Sequence, residues 1–232
     1  MAAELNGTRF LRNKDLIPQE KLDFIDVIGL GGIGSSIIAL LAIMGYRGIR
    51  GWDYDRLEEH NLSSCVYNQQ YLGQTKTDAA VQTAHAFNPD ISFVSVNAKF
   101  SYGDTLSHQV ICCPDNMKAR IDAYETWVET YCNSNTSTIV SDDAFFIDCR
   151  MDALAMELVT VTQNVNDYMS HFKNDDEIED APCTMKHTIF TSSIIAGHAV
   201  GQVFNLLANK PWYDYIWIGL LPFQVKKSRV HI

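Results

Sequence analysis

The most constraining stretch of the chain is Gly29-Leu30-Gly31-Gly32-Ile33-Gly34, set between the short apolar run that ends at Ile28 and the longer one from Ile37 to Met44. Apolar residues running straight into Gly-x-Gly-Gly-x-Gly and then into helix formers predict strand, tight turn and helix. A side chain at Gly29 or Gly31 would obstruct the turn or hold the backbone away from a phosphate, and one at Gly34 would force helix and strand apart. The amides that open the helix, from Gly31 and Gly32 to Ser35, favour an anion. Taken alone, the pattern also fits a tight βα turn that binds nothing, the less favoured of the two readings. The chain then continues through Gly45 to Asp55 as a loop, a second short strand and an acidic residue at the strand's end. In dinucleotide folds an aspartate so placed accepts hydrogen bonds from a ribose, which makes Asp53 the ribose candidate.

The flanking segments can be read in the same way. Residues 1–22 carry Arg9, Arg12 and then Gln19 to Leu22, a short helical lead-in; arginines three apart share a helix face and can reach a phosphate. Residues 23–150 read as a nucleotide-binding half. Gly73-Gln74-Thr75-Lys76 opens a helix expected over 77–87, which Asn88-Pro89 stops. Lys76 there is placed to meet a phosphate as a point charge, although on its own it reads as a solvated lysine. A strand is expected over 91–99, and another from Gln109 that ends at Asp115-Asn116. Ligands sit beyond the carboxyl ends of strands in open α/β sheets, so Asp115 and Asn116 fall beside the glycines. A carboxylate next to a triphosphate suits Mg²⁺.

Further strands are expected at 138–140, around 145–152 and at 158–163. Residues 164–187 are acidic and aperiodic, a mobile crossover loop. Residues 188–207 read as an amphipathic helix and 212–222 as a closing strand. The fold class is therefore α/β: a Rossmann-like nucleotide-binding sheet continued by a mixed β-sheet half, with a flexible crossover loop, all within one domain over 1–232.

Composition narrows the function. A formal charge of −10 argues against a nucleic-acid partner, since phosphate backbones are held by clustered Lys and Arg. Six cysteines form no C-x-x-C pair, so neither a structural zinc site nor a redox motif is indicated. No stretch reads as a membrane span and the N-terminus lacks the features of a signal peptide, so a cytoplasmic protein is expected.

Together these elements resemble the ThiF/MoeB family, whose fold is shared with the ubiquitin-activating enzymes. The resemblance covers roughly residues 9–125 and rests on ordered motifs. They are Arg9-Phe10-Leu11-Arg12, Gln19-Glu20-Lys21-Leu22, the glycine run with Ser35, Asp53-Tyr54-Asp55, Asn61-Leu62, Gly73 with Lys76, Asn88-Pro89, and Cys113-Pro114-Asp115-Asn116 with Arg120. It implies ATP-dependent adenylation of a carboxylate, usually the C-terminus of a ubiquitin-like or sulfur-carrier protein, with release of pyrophosphate. It further implies that Asp53 binds the ribose, that the loop from Gly31 to Ser35 and Lys76 bind phosphates, and that Asp115 binds Mg²⁺. Gly29, Asp55, Asn61 and Asn116 complete the expected nucleotide site, and Arg12 resembles an arginine donated across a homodimer. Cys183, on the crossover loop before the last helix, resembles the cysteine of thioester-forming members.

Two departures stand out. Where the family usually has Asn-Leu-x-Arg-Gln, this chain has Asn61-Leu62-Ser63-Ser64-Cys65, so Ser64 replaces a phosphate-binding arginine. Such a loss costs on the order of a hundredfold in rate unless Arg12, Arg56 or Arg120 supplies the charge. The paired C-x-x-C zinc ligands of many members are also absent. The competing readings are adenylation of a small molecule, a peptide or a tRNA base, NAD-dependent oxidoreduction, and a non-catalytic binding module. Lys76, Asp115 and Asn116 have no role in oxidoreduction.

Overall fold

The computed structural model describes residues 9–133, 138–139, 141–162, 168–171, 188–228 and 230–231. The first strand and helix form as their residues dictate: β1 (Phe24–Ile28) enters the glycine turn and α2 (Gly32–Met44) leaves it. A short α1 (Leu11–Lys14) precedes them, and β2 (Gly48–Trp52), α3 (Lys76–Phe87), β3 (Ser92–Val96), β4 (Gln109–Cys112) and α4 (Met117–Tyr131) follow. The small β5 (Cys132–Asn133) and β6 (Thr138–Ile139) pair with each other, and then come β7 (Phe145–Met151), β8 (Ala155–Val161) and α5 (Ile189–Leu207). The chain closes with β9 (Trp212–Tyr213), β10 (Tyr215–Leu220), β11 (Phe223–Lys227) and β12 (Val230–His231).

Eight strands form one sheet in the order β11-β10-β8-β7-β4-β1-β2-β3. The five from β3 to β7 are parallel, and β8, β10 and β11 add antiparallel to them. The change of direction has a local cause. Asp152 caps a tight turn by accepting from the amides of Leu154 (2.9 Å) and Ala155 (2.7 Å), so β8 returns as a hairpin without a crossover helix. This also explains why β8 begins at Ala155, three residues before the expected strand. The expected closing strand is split at Asp214, whose carbonyl accepts from Thr160 N at 2.7 Å, and β11 lies beyond it as an exposed edge.

Strand alternation sorts side chains into two layers. Ile25, Val27, Ile111, Ile147 and Leu158 face α2, α3 and α5, whereas Ile28, Val110, Cys112 and Phe146 face α4. Two carboxylates share the α4 side, Asp26 of β1 and Asp148 of β7, both fully buried. Asp26 accepts from Arg50 Nε (2.5 Å) and Nη2 (2.8 Å), from Trp52 Nε1 (3.0 Å) and from the Ser107 amide (2.6 Å). Such saturation is what lets a charge persist in a core.

The helix α5 corrects one sequence expectation. Its 19 residues are long and apolar enough to cross a membrane by length and composition alone. Its apolar stripe of Ile195, Ala196, Ala199, Val203 and Leu207 is instead buried against α2, β7 and β8, and Lys21 Nζ caps its last turn at the Leu207 carbonyl, 3.1 Å away.

Removing the buried acceptor isolates its contribution. Asp26→Ala leaves Arg50 and Trp52 without their partner and is expected to lower stability by about 3–5 kcal/mol in urea unfolding. Lys118→Ala, which breaks an exposed pair with Asp122, is expected to change it by less than about 0.5 kcal/mol.

Candidate functional site

In a parallel sheet ordered β3-β2-β1-β4, the strand connections diverge between β1 and β4, and the crevice beyond their carboxyl ends is where ligands bind. The glycine turn lies there. Gly29 has φ +84°, and a Cβ on it would stand 2.7 Å from the Cys113–Pro114 peptide, so the turn after β1 is pressed against the end of β4. A Cβ on Gly34 would fall 2.0 Å from the Gly29 carbonyl, which is the helix–strand approach expected of that position. Gly31 is different: a Cβ there meets nothing within 4 Å, so its backbone borders open space. A Cβ on Gly32 would meet the Ser64 carbonyl at 2.7 Å.

The turn is clamped on both sides of one residue. Asp53 Oδ2 accepts from the Leu30 amide and Oδ1 from the Asp55 amide, both at 2.8 Å, and Tyr67 donates its hydroxyl to the Leu30 carbonyl at 2.8 Å. Burial raises the Asp53 carboxyl above its ordinary range, opposed by Lys76 and by these two amides. Burial likewise pushes the Tyr67 phenol well up, so it stays a donor. Ser35 is fully buried, and its hydroxyl donates to Gly32 O (3.0 Å) and accepts from Val66 N (3.2 Å). Its side chain thus ties the turn to the segment after Ser64, and its amide donates to the Gly31 carbonyl at 2.9 Å.

Lys76 opens α3, held by Thr75, whose side chain accepts from the Asp78 amide at 3.1 Å. Its ammonium pairs with Asp55 at 2.7 Å. Burial alone would lower this amine, but the charges of Asp53, Asp55 and Asp115 raise it above its usual value, so it is a secure cation. Asp115 is exposed at the end of β4, and its Oδ1 accepts from Asn116 Nδ2 at 3.3 Å. Asn116 caps α4, accepting from Ala119 N at 2.9 Å. Asn61 accepts from the Glu58 amide at 2.9 Å, shaping the short turn over Glu59–Ser63 that carries Ser64 to Gly32.

Other expectations fall elsewhere. Arg9 precedes α1 and donates to the Phe87 carbonyl at 2.8 Å, so it shares no helix face with Arg12. Arg12 is exposed on α1, which Phe10 and Asn13 anchor to Gly45 and Met44. That places it at the far end of α2 from the glycines of its own chain, roughly 20 Å away along a 13-residue helix. Arg120 is buried and bonded to Asp148, to the Cys149 carbonyl (3.0 Å) and to the Pro114 carbonyl, so it cannot replace the cation missing at position 64. Arg56 is exposed and donates to the Gly73 carbonyl at 2.7 Å. Cys183 lies outside the described residues. The sequence gives no sign of Tyr67, and it marks Cys113 only as part of a motif; the Cys113 thiol donates to Gly29 O at 3.0 Å and is pushed up to about 12 chiefly by burial. No local spacing reveals either contact.

A glycine turn at the switch point of a parallel sheet, backed by an aspartate at the end of β2, defines an α/β protein of the Rossmann-like class. The ThiF family model matches residues 13–228, and the chain belongs to that family. Among curated relatives, ubiquitin-like modifier-activating enzyme 5 of Oryza sativa subsp. japonica is 30% identical over 131 residues, which covers 46% of this chain and 31% of that protein. The chain thus spans about a third of that relative's length. Among solved structures, E. coli MccB with AMPCPP and MccA superposes with a TM-score of 0.73 at 14% identity, covering 97% of this chain and 72% of that one. PaaA superposes with a TM-score of 0.71 at 18% identity, covering 92% and 67%. These two likenesses show the fold.

Gly29 and Gly31 separate folding from binding. Gly29→Ala is expected to lower stability by about 2–4 kcal/mol, since it combines a left-handed φ with a backbone collision. Gly31→Ala is expected to melt within about 1 kcal/mol of the parent while weakening nucleotide binding at least tenfold by calorimetry.

Proposed function

We propose that the protein adenylates a carboxylate at the expense of ATP. The observation that carries this reading is Lys76 paired with Asp55 just after β2, together with the Cys113–Pro114 peptide that leads to Asp115 packed against Gly29 of the turn, because displacement at phosphorus between two anions requires cations and positioning more than a base. Asp53 binds the ribose, the Gly31–Ser35 backbone the phosphates and Lys76 the triphosphate. A carboxylate oxygen of the substrate attacks the α-phosphorus, the bond to the pyrophosphate oxygen breaks, and acyl-adenylate and pyrophosphate result. Asp115 suits Mg²⁺, being exposed with its second oxygen unengaged in the contacts described. No group of three His, Cys, Asp or Glu that could cage a metal occurs among the described residues, so such an ion would complete its shell from phosphate oxygens and water, as Mg²⁺ commonly does.

The substrate we infer is the C-terminus of a ubiquitin-like or sulfur-carrier protein, in keeping with the relatives named as activating ubiquitin-like modifiers. A peptide is the alternative, in keeping with MccB, a microcin C7 biosynthetic enzyme solved with N-formylated MccA. Cys183 is the candidate for a second step, in which its thiolate attacks the acyl carbon and AMP leaves. Arg12, remote from its own glycine turn, is inferred to serve the site of a second copy in a homodimer. We place the reaction in the cytoplasm.

ATP–pyrophosphate exchange tests the reading. With a ubiquitin-like partner, the wild-type protein is expected to exchange, and Asp115→Ala or Lys76→Ala to lose about a hundredfold or more. ATP binding without exchange under any partner would favour a non-catalytic module, with Ser64 as the cause.

Mixing variants tests the homodimer. Arg12→Ala and Asp115→Ala are each expected to be inactive, and an equal mixture to recover about a quarter of wild-type exchange, since half the dimers carry one intact site. No recovery after subunit exchange would place Arg12 in its own chain's site or outside catalysis.

A further inference from the structure

Asp115 is exposed, yet the residues on either side of it are fixed. On its C-terminal side Asn116 is locked as the cap of α4. On its N-terminal side the Pro114 carbonyl, which belongs to the peptide leading into Asp115, accepts a hydrogen bond from Arg120 Nη2. Arg120, the fourth residue of a helix only about half buried, is 6% exposed. Its Nη1 donates to Asp148 Oδ1 and to the Cys149 carbonyl of β7. The guanidinium therefore bridges β7 to the turn after β4, with Nη1 committed to β7 and Nη2 to that turn.

Asp148 is the centre of this arrangement. Its Oδ2 accepts from Arg150 Nε at 2.7 Å and from the Tyr168 hydroxyl at 2.9 Å. Tyr168 is 1% exposed, packed against Tyr124 of α4 and Phe146 of β7, and it belongs to a short turn, Tyr168–His171. Arg150 holds the other end of that turn by donating to the His171 carbonyl at 2.6 Å. A continuous series of hydrogen bonds thus runs from the 168–171 turn through Asp148 and Arg120 to the peptide that orients Asp115. Glycine packing sets the preceding peptide, Cys113–Pro114, whose atoms lie 2.7 Å from where a Cβ on Gly29 would stand.

We propose that Arg120 is a positioning residue, which together with Asp148 and Tyr168 fixes the orientation of Asp115 toward a nucleotide-bound divalent cation. Arginine is required because a planar fork can bond a carboxylate and a carbonyl at once, whereas a lysine ammonium on the same stem keeps the ion pair with Asp148 and releases Pro114. The proposal rests on the reading of Asp115 given above.

The test uses Mn²⁺ as a spectroscopic substitute, its binding to full-length protein measured by electron paramagnetic resonance with a non-hydrolysable ATP analogue present. Arg120→Lys is expected to weaken Mn²⁺ about tenfold, to leave metal-free nucleotide affinity within about twofold, and to lower kcat of exchange with little change in KM for ATP. Tyr168→Phe removes one donor from Asp148 and leaves Arg120 in place; it is expected to weaken Mn²⁺ about threefold. Asp115→Ala is the reference. If wild-type protein and Asp115→Ala bind Mn²⁺ alike, the reading of Asp115 itself fails. If Asp115→Ala loses Mn²⁺ while a folded Arg120→Lys binds it like wild type, the positioning role is overturned. Should Arg120→Lys not fold, Tyr168→Phe decides, and unchanged Mn²⁺ affinity in that variant overturns the role of the network.

Discussion

The shape of the crevice depends on the carboxylate of Asp53. With no side chain at Gly29, Gly31, Gly32 or Gly34, the turn after β1 has little steric reason to keep one conformation, and glycine carries the largest conformational entropy to be lost on folding. What fixes it is a pair of bonds on one residue: Asp53 holds the Leu30 amide and Tyr67 holds the Leu30 carbonyl. The same carboxylate takes the Asp55 amide, so the end of β2 is locked to the end of β1 by one side chain. An aspartate that accepts two amides retains lone pairs for a further donor, which is why a structural tie and a ribose contact are compatible roles.

Charge is distributed by a related logic. The chain carries ten more acidic than basic groups, yet several of its cations are withdrawn from the surface to serve interior carboxylates. Arg50 serves Asp26, while Arg120 and Arg150 serve Asp148. Buried ion pairs of this kind contribute little net stability compared with apolar packing, because desolvation offsets attraction, but they tolerate no partial removal. Their effect is to fix register: Asp26 and Arg50 are direct partners across β1 and β2, and Asp148 joins β7 to α4.

Much of the half from β1 to α4 was legible because its signals are local. The β1–turn–α2 unit follows from apolar periodicity and glycine spacing, and the start of α3 from Thr75 and Lys76. The mixed character of the second half was also readable, although its strand limits were not. The onset of β8 depends on how Asp152 bonds the amides after it, and the break at Asp214 depends on a backbone bond to Thr160, which is 54 positions earlier. Within the site, Tyr67 and Arg120 were illegible in their roles for the same reason. One looks like an ordinary aromatic in a polar stretch until the turn after β1 is brought beside it, and the other like a helix-surface cation until β7 and the turn after β4 are brought beside it. Spacing identifies a residue type at a turn, but only tertiary packing decides whether an arginine faces solvent or Asp148.

Ser64 bears on how the remaining cation must work. Its carbonyl lies against Gly32 and accepts from Ser192 Oγ at 3.2 Å, so position 64 sits at the turn itself. In place of an arginine there, Lys76 is the basic residue drawn toward the crevice by three carboxylates, and it already has a partner in Asp55. On the proposed reading, a triphosphate at this turn would meet an ammonium that must share or exchange a carboxylate, and position 64 supplies no guanidinium to take part of the charge. That exchange is modest in cost where Asp55 remains half-exposed, because water re-solvates the released carboxylate. It would be prohibitive at Asp148, where the carboxylate is fully buried and a departing arginine would leave it uncompensated. The burial of each acidic partner thus separates the cation that can follow a ligand, Lys76, from the one that can only hold the frame in place, Arg120.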